Sequence, residues 1–139
     1  MLTWICAAVW TGVALLAFVM ARNGLAAGRL LPFHERASGR DWEALSAAER
    51  AVALALTRSL GLGFLITGLA LLAAAGEVLL GAAGLAAALA GLAVVFTVGL
   101  AVINHRLQAA VGTPTPWKGS LYAATLTLLG LAACLIWLQ

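Results

Sequence analysis

Residues Leu60 to Ile103 read LGLGFLITGLALLAAAGEVLLGAAGLAAALAGLAVVFTVGLAVI, with Glu77 as the single charge. A helix needs about 20 apolar residues to cross roughly 30 Å of hydrocarbon at about 1.5 Å per residue. This stretch is far too long for one crossing and accommodates two. The spacing predicts spans at Leu54–Ala75 and Leu79–Ile103. Gly76-Glu77 is then read as a tight hairpin turn, a helix-ending glycine followed by a carboxylate that favours water.

Two further apolar segments, Leu2–Ala21 and Leu121–Leu138, bring the spans to four. The loops between them are expected at 22–53 and 104–120. Composition agrees. The chain has 139 residues, 64% hydrophobic and 9% charged, with mean hydropathy +1.07. A soluble domain of this length would carry roughly 35 charged residues, against 8 basic and 5 acidic here. The expectation is one all-α domain over 1–139, an integral membrane four-helix bundle. A cleaved leader is not expected, because no charge precedes Arg22 and the first apolar segment is long enough to span.

Local signals set the helix ends. Ser46-Ala47-Ala48-Glu49 is a capping box, in which the serine oxygen and the glutamate satisfy each other's free amides. From there to Ala75 is about 43 Å of helix, so its first two turns should stand outside the hydrocarbon. The third long helix should run past Arg106 to a C-cap at Gly112, where Pro114 and Pro116 prevent continuation.

The net charge is +3. Its basic residues flank spans rather than forming the dense run that nucleic-acid binding needs. Arg22, Arg29, Arg36, Arg40, Arg50 and Arg58 lie in or beside the first loop, and Arg106 and Lys118 flank the second. The positive-inside rule then places both long loops in the cytoplasm, and both termini and the short turn outside, in a multi-pass protein of the inner (plasma) membrane. Trp4 and Trp137 would mark the outer boundary, and Trp42, Trp117 and Tyr122 the inner one.

Helices in lipid associate through small residues that let backbones approach. The third span carries Gly84, Ala88, Gly91, Val95 and Gly99 along one face. The second offers Ser59, Gly63 and Thr67, the first Ala8 and Gly12, and the fourth Ala123 and Thr127 with Gly130 and Cys134 on another stripe. Two readings of the third-span stripe stay open: packing inside the bundle, or an interface between subunits.

Few residues here can carry chemistry. Arg58 falls just inside the inner boundary and either snorkels to lipid phosphate or grips an anion. His34, Arg36, His105 and Arg106 gather on the same side, as candidates for a ligand or a lipid headgroup. The two histidines lack metal-ligand spacing and sit among arginines, so neither a metal nor another cofactor is expected. The first loop mixes Leu25, Leu30, Leu31, Phe33 and Trp42 with arginines, which suits a segment lying on the leaflet. Cys6 and Cys134 are read as packing residues that would pair only if their spans adjoin on an oxidising side. Trp10 is deep enough that its indole N–H needs a partner.

His34-x-x-Ala37-x-Gly39-x-x-Trp42-x-x-Leu45, together with Thr113-Pro114-Thr115-Pro116-Trp117-Lys118, resembles a group of small, uncharacterised bacterial four-span inner-membrane proteins. That resemblance implies the architecture and no particular activity. The layout is also similar to the membrane-associated eicosanoid and glutathione metabolism superfamily, which implies trimers binding glutathione through an Arg, Asn and Glu pattern at the start of span two. Here neither Asn nor Glu follows Arg50 and Arg58 within that span, so the ligand set does not carry over. The functional expectation is a non-enzymatic helical subunit or self-associating component with membrane lipids around it. The alternatives are a membrane enzyme acting on a lipophilic substrate at the inner leaflet, and a small-solute transporter or channel.

Overall fold

The computed structural model describes residues 2–137, without the side chain of Trp137. The expectations placed on that side chain and on Leu138 therefore fall outside the described residues. Four long helices are apolar enough to cross a membrane: α1 (Leu2–Leu25), α3 (Ala47–Leu79), α4 (Ala83–Val111) and α5 (Trp117–Trp137). A short helix, α2 (Pro32–Ser38), and a single 3-10 turn, Trp42–Ala44, lie in the first loop. The long helices form a closed ring: α1 packs on α3, α3 on α4, α4 on α5 and α5 on α1. One end of the bundle carries both long loops, and the other carries the α3–α4 turn.

The expected capping box is present. The Glu49 N–H donates to Ser46 Oγ at 3.3 Å and the Ser46 N–H to Glu49 Oε2 at 2.8 Å. Gly112 closes α4 with φ +70° and an N–H donated to the Gln108 carbonyl. The turn between α3 and α4 needs correction. Helix α3 continues through Gly76 and Glu77 to Leu79, and the chain reverses at Gly81, φ +85°. The Gly81 N–H donates to the Val78 carbonyl and the Ala82 N–H to that of Glu77, which is a Schellman closure. Val78 is buried, continuing the inward row of Leu71, Ala74 and Ala75. Its burial carries the helix one turn past the first glycine.

The interior is built from small side chains. Thirteen of the nineteen buried hydrophobic residues are alanine, whereas Leu16, Ile66, Leu92 and Ile136 are exposed on the outside. This inverts a water-soluble core and fits lipid as the solvent, where close backbone approach drives association. Gly24 and Gly61 meet backbone to backbone. A Cβ on Gly24 would lie 2.9 Å from the Gly61 Cα, and one on Gly61 would lie 2.8 Å from the Leu25 nitrogen. Gly68 makes room for the Phe18 ring, and Gly130 for the Trp10 indole. The indole N–H of Trp10 donates to the Thr127 carbonyl at 3.3 Å, with both residues fully buried. Buried Thr57, Thr67, Thr97 and Thr127 each donate their hydroxyl to the carbonyl four residues back, so no buried O–H among the described residues is left unpaired.

The packing faces differ in part from those expected. Gly63 does pack inside, against Phe96, and Thr67, Thr127, Gly130 and Cys134 are buried. On α4 the inward row is Ala83, Ala86, Ala90, Ala93, Thr97, Ala101 and Asn104. Gly84, Gly91 and Gly99 border open space, and Ala88 is exposed beside them. The stripe is thus separate from the inward row of α4, with Gly84 and Ala88 exposed and Gly91 and Gly99 half-buried. On α1, Ala8 and Gly12 also face outward, and Ser59 does so on α3. Adjacent positions offered two small faces, and the alanine face won because each inward methyl adds van der Waals contact that glycine lacks.

A matched pair of substitutions tests this packing. Gly61→Ala is expected to destabilise the protein by about 1–3 kcal/mol, because backbone must move to admit the methyl. Gly12→Ala borders open space and is expected to be neutral, or to stabilise by up to about 1 kcal/mol through helix propensity. Thermal midpoints in mild detergent should therefore move in opposite directions or diverge clearly.

Candidate functional site

Polar chemistry is concentrated at the loop end. Helix α2 starts on Pro32, whose fixed φ suits a first helical position, and stops at Gly39. The 3-10 turn then delivers the chain to the Ser46 cap. Ion pairs fix this path: Arg29 with Glu35 at 2.8 Å and with Glu43 at 3.9 Å, and Arg40 with Glu49 at 2.7 Å. Arg50 Nη2 donates to the Glu43 carbonyl at 2.7 Å, and its guanidinium lies 5.7 Å from the centre of the Trp42 ring. Among the described residues, Arg22, Arg36, Arg58, Arg106 and Lys118 have no carboxylate partner.

This path sets α2 in contact with α4 and leaves a cleft of about 360 Å³ between the α2 segment and α3. One wall is Leu30, His34 and Ser38, and the other is Ala53, Leu56, Thr57 and Leu60. The α3 residues repeat at helical spacing and His34 and Ser38 stand four apart on α2, while Leu30 comes from the loop before it. Thr57 and Ser38 spend their hydroxyl protons on backbone carbonyls. His34 Nδ1 and Arg50 Nε, by contrast, are the buried side-chain polar atoms without a hydrogen-bond partner among the described residues. Arg50 stands one turn before Ala53 on the same side of α3. Burial pushes the His34 imidazole below its ordinary value of 6.5, because desolvation disfavours the charged ring.

The other expected residues are dispersed. Arg58 Nη2 reaches back to the Ala27 carbonyl at 3.4 Å, so it braces the exit from α1. Arg36 and Arg106 are exposed. His105 stacks edge-on against Trp117, with centroids 5.1 Å apart, at the start of α5. The second loop is clasped to α4 by Thr115, whose hydroxyl donates to the Asn104 carbonyl at 2.7 Å and whose N–H donates to Gln108 Oε1 at 3.1 Å. His34 and His105 therefore serve different neighbourhoods. Sequence reasoning missed Leu56 and Leu60 as lining residues of the cleft. The one available signal was that Arg50, Ala53, Thr57 and Leu60 share a helix face. Comparison with protein families, with curated proteins and with solved structures finds no match for the chain.

The His34 environment predicts a pH response. Its folded value lies below the unfolded one, so the stability it adds is present above about pH 6.5 and is lost as pH falls toward the folded value. An NMR titration should place the His34 midpoint below 6.5. Hydrogen exchange over 31–38 should quicken on acidification in the wild type and lose that dependence in His34→Phe.

Proposed function

We propose that this chain is a multi-pass inner-membrane protein that acts as a non-enzymatic, self-associating component, with both long loops in the cytoplasm. The observation that carries this reading is the outward row Gly84, Ala88, Gly91 and Gly99 on α4. Glycine in a helix interior costs up to about 1 kcal/mol relative to alanine. Three glycines on a face that the bundle leaves open gain nothing from contact with lipid tails. A second helix brought close to that face recovers the cost through backbone contact, as small-residue stripes do in membranes. A second copy of this chain is the occupant proposed. The orientation rests on charge: the eight basic residues fall in or beside the two long loops, and the α3–α4 turn has only Glu77 near it.

Two measurements test this. Subunit counting in native membranes should give two or more copies per assembly. Gly91→Leu should leave the helical signal unchanged and reduce the count to one; single copies in the wild type contradict the proposal. A reporter enzyme active only outside the membrane should work when fused after Gln139 and be silent when inserted at Gly39, and the opposite pattern overturns the orientation.

A further inference from the structure

We infer that Cys6 and Cys134 are joined by a disulfide within one chain, which links the first and last membrane helices and closes the ring covalently. The register of α1 on α5 carries this. The two helices run antiparallel, since α1 ends and α5 begins at the loop end. Trp10 sets how they are matched. Its indole N–H donates to the Thr127 carbonyl, and a Cβ on Gly130 would fall against the indole ring. One turn from Trp10 away from the loops, the inward face of α1 carries Cys6. One turn from Gly130 in the same direction, the inward face of α5 carries Cys134. Four residues advance each helix by about 6 Å and return to nearly the same face. The two cysteines therefore occupy one layer on facing helices. Both are buried in the same apolar cluster. The Cys134 sulfur lies 3.9 Å from the Ala83 carbonyl oxygen, which sets the layer beside the start of α4, at the end opposite the long loops.

These are the two cysteines of the sequence, so they have no rival partner within the chain. Cys6 stands four residues from the start of α1, and Cys134 three from the described end of α5. Both are thus within about 6 Å of a helix end, close to water, and they are sealed only once α5 docks on α1. Oxidation therefore belongs to assembly of the bundle. It requires an oxidising compartment, and in this it rests on the orientation proposed above, with both termini outside. The oxidant is a protein disulfide of that compartment. The thiolate of one cysteine attacks it, forming a mixed disulfide and releasing one oxidant thiolate. The thiolate of the other cysteine then attacks the first cysteine's sulfur, and the oxidant leaves as a dithiol. Two electrons pass from the cysteines to the oxidant, whose sulfurs take up the two protons.

The test uses cells making the full chain, quenched in acid, with the denatured protein exposed to a maleimide-linked polymer. The wild type should take no label without reductant and two labels after it, and should migrate as a single chain on a non-reducing gel. Cys6→Ser and Cys134→Ser should each take one label without reductant; a variant that stays unlabelled has its thiol on another partner and overturns the pairing. Two labels on the unreduced wild type, or a bond between two chains, also overturns it. Diamide added to such two-label protein in isolated membranes tells which premise failed. Joining within one chain upholds the facing sulfurs and faults the oxidising side, which a silent reporter after Gln139 shows independently. No joining faults the α1–α5 register.

Discussion

The contact between the Gly24 and Gly61 backbones governs the geometry of the loop end. It brings α1 and α3 together where α1 leaves the bundle, with no side chain between them. The chain from Ala26 to Ser46 must then return to a helix that already touches its starting point. It does so through α2, which packs on α4. Arg58 holds the exit through the Ala27 carbonyl, and Arg40 fastens the return to Glu49. The cleft is the space left between the α2 segment and α3.

Lipid as solvent explains where polar chemistry is allowed. In the membrane-crossing part, every buried threonine hydroxyl turns back to its own helix, and the Trp10 indole has a carbonyl waiting on α5. An unsatisfied polar group there would cost several kcal/mol. Among the described residues, the buried side-chain polar atoms without a partner occur instead at the loop end, on His34 and Arg50.

The sequence was legible wherever the signal is local. Four spans follow from hydropathy, the start of α3 from Ser46 and Glu49, and the end of α4 from Gly112, because each depends on neighbouring backbone groups. The α3–α4 turn was displaced because Gly76 resembles a helix end until the burial of Val78 is known. The α4 stripe stayed open between two readings because Gly84 and Gly91 lie one position from a regular inward row of small residues, and only the partner helices choose the inward face. His34 was legible as a candidate, but its cleft was not. The cleft depends on where the segment from Leu30 to Ser38 comes to lie beside α3, a tertiary placement that no local signal carries.

That contact can be observed without perturbing it. In protein labelled with 13C at glycine Cα and reconstituted in lipid bilayers, magic-angle-spinning NMR should show a short-range cross-peak between Gly24 and Gly61, and none between Gly24 and Gly91. A spectrum with both resonances assigned and no Gly24–Gly61 cross-peak would contradict the close α1–α3 approach, and with it the placement of α2 and the cleft.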